Sequence, residues 1–267
     1  MIRRAEAVRF DGVVDIEAGR NQPLMVTVED ADGEEVEVFL KPSGRPELGI
    51  EGLANEVLAA CVAGRLGLPI CEPLLVEITP EWIATIPDAA LRDVLTRSSP
   101  VAFGSRSAGT GWKGWAAKDH VLGERRPVAT AIFVFDALTL NSDRGPGKPN
   151  ILVKGDSLRI IDHEMCFRVR MHLFPGPRPW EIGNLQGLAE PGGHTFGQLL
   201  RGDRWVDVGA VRPSWIELSD DCLADYEAAL PAQWNAVAGP IEAAIAHLRT
   251  VRDRIDECLE EVQRVLQ

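Results

Sequence analysis

The sequence predicts an α+β chain of two lobes, a small β-rich lobe over residues 1–104 and a larger, mainly helical lobe over residues 105–267. Three observations carry this expectation. Leu24, Val26 and Val28 alternate with polar residues, and Val36, Val38 and Leu40 do so again beyond Asp32-Gly33, a period of two with a turn between. Behind Pro240, the apolar residues Ile241, Ile245, Leu248, Val251, Ile255, Leu259, Val262 and Leu266 recur at the spacing of one core-facing helix. Residues 100–114 are rich in Gly and Ser, which suits a hinge between the lobes.

Taken in order, residues 8–40 read as antiparallel strands, with Phe39 and Lys41 on the face opposite Val38 and Leu40. Residues 52–66 read as a helix closed by Gly67 and Pro69. A strand over residues 73–78 and a helical insertion over residues 80–99 follow. Pro127 to Leu140 is nearly all apolar, as in a buried helix with a proline in its first turn. Ile151-Leu152-Val153 and Leu158-Arg159-Ile160-Ile161 flank Lys154-Gly155-Asp156-Ser157, which makes a hairpin. Residues 172–213 are loop-rich. Trp112, Trp115, Trp180, Trp205, Trp215 and Trp234 are expected to pack in the core or between lobes.

Composition bounds the function. With 267 residues, 45% hydrophobic and 25% charged, the chain can bury a sizeable core. A net charge of −12 argues against a general nucleic-acid binder, because affinity for phosphate backbones needs Lys and Arg. No stretch of about 18 apolar residues offers a membrane span, and nothing near Met1 reads as a secretory signal. The five cysteines are scattered without a CxxC pair, so neither zinc nor a disulfide framework is indicated. A cytoplasmic protein with reduced thiols is expected.

The chemistry concentrates in residues 141–164, NSDRGPGKPNILVKGDSLRIIDHE. The predicted hairpin brings Asn150, before one strand, close to Asp162, after the other. With Asp143 they form the smallest set able to move a phosphoryl group from ATP: a carboxylate to orient the attacking hydroxyl, and oxygen ligands for Mg²⁺. Taken singly, each of these residues is also ordinary turn composition. Their order, ending in Ile161-Asp162-His163-Glu164, favours the site. Such a site calls for a strand lysine on the phosphates and a helix glutamate to hold it. Lys41 and Glu56 stand where those are needed, with Phe39 towards the adenine. Gly19, in residues 18–23, is the candidate for a phosphate-covering loop, and Phe103-Gly104-Ser105 for the strip that contacts adenine. No GxxxxGK[ST] is present. Arg144 reads as a loop anchor or a phosphate holder, and Lys148 as a γ-phosphate contact or a solvated lysine. Asp136 reads as a hydrogen-bonded structural carboxylate inside the buried helix.

These segments, VFLKP, LANEVLAACVAGRLGLPI, FDALTLNSDRGPGKPN and LRIIDHEMCF, resemble the HipA-like kinases, bacterial proteins on the protein-kinase and phosphatidylinositol-kinase fold. The resemblance covers about residues 20–170. It implies ATP and Mg²⁺ as cofactors, with Lys41 on the phosphates, Glu56 orienting it, Asp143 as catalytic base, and Asn150 and Asp162 on Mg²⁺. It implies a serine/threonine kinase acting on a protein or small-molecule hydroxyl, and a regulatory protein partner as in toxin–antitoxin pairs. Two departures stand out. Asp143 and Asn150 are seven steps apart, two more than the kinase pattern. The chain is also too short for the additional amino-terminal region of full-length HipA-type toxins, so their antitoxin docking is not carried over. His163-Glu164 stands where many kinases have Phe-Gly. The rival readings are a small-molecule kinase of the aminoglycoside or choline phosphotransferase type, against which Asn141 replaces the usual His, and an ATP-binding pseudokinase.

Overall fold

Alternating strands with one apolar face must find a second layer or close on themselves, and here they close. The computed structural model describes residues 2–14, 23–45, 49–168 and 176–267. Strands β1 (Arg3–Val13), β2 (Leu24–Asp30), β3 (Glu35–Lys41), β4 (Pro73–Glu77) and β5 (Val101–Arg106) form a barrel in the order β1-β2-β3-β5-β4. Only the β1–β4 seam is parallel. Val26 pairs with Val38 and Leu24 with Leu40, so the predicted alternation sets the register. Val38, Leu40, Leu74, Val76 and Ala102 fill a core that extends over α2 (Pro80–Ala84) and α3 (Ala89–Thr96).

Helix α1 (Gly49–Arg65) packs between this barrel and the carboxy-terminal helices. It is buried nearly all round, which its run of Leu, Ala and Val permits. Gly67, at φ 76, ends it in a Schellman turn: Gly67 N–H donates to Gly64 C=O and Leu68 N–H to Ala63 C=O. The short strand β6 (Lys113–Gly114), helix α4 (Arg125–Leu138) and the hairpin β7 (Ile151–Lys154) and β8 (Ser157–Ile160) follow. Gly155 takes positive φ at the first central position of a two-residue turn, as a type II′ hairpin demands. The rest is helical, from α5 (Gln186–Ala189) and α6 (Gly197–Leu200) through α7 (Arg212–Ile216) and α8 (Asp220–Ala228) to α9 (Ala238–Asp253) and α10 (Ile255–Leu266). These helices and α4 share one apolar core with Leu53, Val57 and Phe103. The fold is therefore mixed α+β, with a small β-rich amino-terminal part and a helical carboxy-terminal part. No helix among the described residues is long and apolar enough to cross a membrane.

Four expectations are corrected. Residues 100–114 do not form a hinge throughout, because residues 101–106 are a barrel strand, and the boundary drawn between residues 104 and 105 falls inside it. The glycine that suggested flexibility is there for lack of room. A Cβ on Gly104 would lie 2.8 Å from Val76 Cγ2 inside the barrel. The first strand starts at Arg3 rather than Val8. The last helix is two helices interrupted at Arg254, and both sides of the break keep the same buried stripe, so periodicity does not register it. Trp205 is exposed rather than packed, with Arg204 over its ring.

Gly104→Val is expected to destabilise the fold by about 1–3 kcal/mol through overpacking. A lower urea midpoint with an unchanged slope is the predicted result, and an unchanged midpoint would show that the barrel has room.

Candidate active site

A cavity of about 510 Å³ lies against the outer face of β3 and β5 on one side and the hairpin and the 143–150 loop on the other. Phe39, Lys41, Glu56, Phe103, Ser105, Asp143, Asn150 and Asp162 all line it, so residues from widely separated parts of the chain meet there. The period of two in β3 is the reason Phe39 and Lys41 face out while Val38 and Leu40 face in. Gly104 is not in the cavity wall, since it faces the barrel interior beside Val76 and Leu74. Gly19 lies outside the described residues.

Lys41 is the junction. Its Nζ donates to Glu56 Oε1 and, at 2.6 Å, to Asp162 Oδ1, with Glu164 Oε2 at 3.6 Å. One oxygen each of Glu56, Asp162 and Glu164 lie within 4.8 Å of one another, a carboxylate cage in which the ammonium is the cation. Glu56 is buried, and its second oxygen accepts the His163 backbone N–H at 2.8 Å. The neighbouring Asn55 donates to Glu164 C=O at 3.2 Å. These are the two buried polar residues of α1, and both fasten the segment after Asp162. Burial would raise the Glu56 carboxyl, but the Lys41 charge and the His163 contact outweigh it, and the group is held below the ordinary value. Lys41 is raised despite burial because three carboxylates surround it. Glu164 is pushed up by burial, against the pull of Lys41.

The 143–150 loop is fixed from beneath. Asp136, fully buried in α4, accepts from Arg144 Nε at 2.5 Å, His194 Nε2 at 2.8 Å and Asn141 Nδ2 at 2.7 Å. Arg144 then donates to Asn150 C=O at 2.5 Å and Ile161 C=O at 3.2 Å, so one guanidinium holds both arms that carry Asn150 and Asp162. Arg144 is thus a loop anchor and not a phosphate holder. Among the described residues the non-glycine positions with positive φ are Leu140, Asn150, Asp162 and Phe167, all around this loop. Asn and Asp adopt that region at the least cost, which suits these residue types at positions 150 and 162. Asn150 Nδ2 reaches the Asp143 carbonyl at 3.2 Å and Asp143 Oδ2 at 3.3 Å. Lys148 Nζ bridges Asp143 Oδ2 at 2.6 Å and Asp162 Oδ2 at 2.9 Å. Burial opposes ionisation of Asp162, but Lys41 and Lys148 together hold it well below the carboxylate range.

Sequence reasoning missed His194, Asn55 and the inward turn of Glu164. His194 arrives from a loop-rich stretch with no periodicity to flag it. Phe196 N–H donates to His194 Nδ1 at 3.0 Å, so Nε2 carries the hydrogen given to Asp136 and the ring is neutral. The site can bind an apolar planar group against Phe39 and Phe103, anionic groups at Lys41 and Lys148, and a hard cation at Asn150 and Asp162.

The family model for HipA-like kinase matches residues 15–173, more than half of the chain. No curated protein matches. Among solved structures, the chain is similar to the crystal structure of a Helicobacter pylori proinflammatory kinase, CtkA, at 11% identity over 96% of this chain and 99% of that chain, with a TM-score of 0.49.

Two stability effects follow from this buried cluster and from buried His247, whose Nε2 lies 2.7 Å from Leu138 C=O. Asp136→Ala leaves the Arg144 guanidinium buried without its counter-charge, and a loss of about 3–5 kcal/mol is expected in chemical denaturation. A loss below about 1 kcal/mol would mean that water relieves the charge. His194 and His247 are held below the ordinary value of 6.5 by burial, so the unfolded chain takes up their protons first. Their contribution is complete above about 6.5 and drains as pH falls through the lower folded values. Asp136 adds a second acid loss: burial opposes its charge, yet Arg144 and His194 hold it at about 2 against 3.8. The urea midpoint should therefore fall between pH 7.5 and pH 5, and fall further towards pH 3. A midpoint that rises on acidification contradicts the assignment.

Proposed function

We propose that this chain, which belongs to the HipA-like kinase family, is an ATP- and Mg²⁺-dependent serine/threonine protein kinase, its two lobes meeting at the cavity. The observation that carries the reading is the convergence of Lys41, Glu56, Asp143, Asn150 and Asp162 on one cavity. Each is of the type and in the chain order that phosphoryl transfer needs.

The residues suit a divalent cation. Asn150 and Asp162 offer oxygen, the donor Mg²⁺ prefers. Glu56, Asp143, Asp162 and Glu164 outnumber Lys41 and Lys148 by a formal two negative charges. When bound, such a cation neutralises charge on the phosphate oxygens. Lys41 would contact the phosphates, and Glu56 and Glu164 hold it at the cavity wall. Phe39 and Phe103 offer apolar faces to the adenine, with backbone groups of β5 beside it. Asp143, at the open edge and partly exposed, would orient the acceptor hydroxyl and take its proton, a contribution of about 10²–10⁴-fold. The segment 163–164 is bonded to Asn55 and Glu56, which supports a site assembled before nucleotide arrives. We place the acceptor on a protein, with a regulatory protein partner, in the cytoplasm.

The test is incubation with γ-labelled ATP and Mg²⁺ in a cell extract, comparing wild type with Asp143→Ala and Asp162→Ala. Labelled protein from wild type alone, reduced at least about 10²-fold in Asp143→Ala, is the expected result. Label on a small alcohol and on no protein would replace the protein-kinase reading with a small-molecule kinase. Wild-type turnover by Asp162→Ala contradicts the site.

A further inference from the structure

We propose that Lys148 is a built-in competitor for the divalent cation: its ammonium bridges Asp143 and Asp162 and must leave before Asp162 can offer that oxygen to a metal ion, so this residue sets the cation concentration at which the site loads. The inference rests on the reading of Asp162 as a metal-holding residue.

The geometry is that of a bridging cation. Nζ lies 2.6 Å from Asp143 Oδ2 and 2.9 Å from Asp162 Oδ2, at the place where the loop and the hairpin face each other. Lys41 occupies the other oxygen of Asp162 at 2.6 Å. The two lysines are not equivalent. Lys41 belongs to a barrel strand, is largely buried, and is held as well by buried Glu56. The Lys148 side chain is 44% exposed and rides on a loop outside any helix or strand. Its own N–H closes a turn onto Gly145 C=O at 3.0 Å, and space is open around Gly147, where a Cβ would meet nothing within 4 Å. Ion pairs of half-exposed lysines are weak and screened, so Lys148 is the ammonium that can swing into solvent. Asp162 then keeps Lys41 on one oxygen and offers the other. Because the two cations exclude each other at that oxygen, the coupling is reciprocal: the bridge weakens metal binding by the same factor by which bound metal weakens the bridge.

The position in the chain fits this role. Lys148 lies between Asp143 and Asn150, in a loop two steps longer than the kinase pattern, and from there its Nζ spans both carboxylates.

The test is a titration of the full chain with MnCl₂ in the absence of nucleotide, reading free Mn²⁺ by electron paramagnetic resonance. Wild type, Lys148→Met, Lys148→Arg, Asp162→Ala and the double variant Lys148→Met/Asp162→Ala are compared, each checked by thermal melting. Lys148→Met is expected to bind at least about fivefold tighter than wild type, the lower end of a typical coupling between sites. Lys148→Arg should stay near wild type, and the double variant should lose the gain. If Lys148→Met binds no tighter than wild type while Asp162→Ala binds more weakly, the competitor role is overturned and the metal-holding role of Asp162 stands. If Lys148→Met binds tightly with or without Asp162, both the competitor role and the reading beneath it are overturned.

Discussion

A single ammonium group ties the molecule together at the cavity. Lys41 is shared between a helix carboxylate, Glu56, and a carboxylate from beyond the hairpin, Asp162. Three separate elements, a strand, a helix and the end of a hairpin, therefore have to be placed correctly before the contact exists. The barrel supplies the first, because closure fixes which residues of β3 face outwards. Packing of α1 against the barrel and the helical core supplies the second. The hairpin supplies the third, and its start and end sit side by side through Ile161 N–H on Asn150 C=O. An ion pair this buried earns little net stability once desolvation is charged against it. Its value is positional: a charge that has nowhere else to go specifies where its partners must be.

Beneath the cavity a second buried charge does the same for the loop. Asp136 fixes Arg144, and Arg144 fixes the backbone at Asn150 and Ile161. Arg144 thus carries the backbone of both arms, while among the cavity-facing side chains Asn150 adds a bond to the Asp143 carbonyl. That division explains why residues with positive φ can persist here. Such conformations cost about 1–3 kcal/mol where the residue type disfavours them, and surrounding contacts must over-determine them. Leu140 and Phe167 are of that disfavoured type, and Phe167 is held by its N–H on Thr139 C=O at 2.7 Å.

Much of this was legible in the residues. Alternation in 24–40 gives β2 and β3 and the outward face of Lys41, because a period of two is a local property. The Gly155 turn gives the hairpin, and with it the proximity of Asn150 and Asp162. What local pattern does not carry is closure. The parallel seam between β1 and β4 joins residues some 70 positions apart, and no spacing announces it. β5 was hidden because Gly104 and Ser105 look like loop composition, whereas Gly104 is demanded by crowding inside the barrel. His194 gave no signal because a histidine among glycines and prolines can be anything until the fold sets it 2.8 Å from Asp136. Lys148 was visible as a lysine near the site, but its dual engagement depends on a loop conformation that sequence does not specify.

The account is tested most directly by a crystal structure of the chain with Mg²⁺ and a non-hydrolysable ATP analogue. The adenine should lie in the cavity between Phe39 and Phe103, with the phosphates at Lys41 and the metal against Asn150 and Asp162. An analogue bound elsewhere, or a cavity in which Asp143 and Asp162 face away from the phosphates, would contradict it.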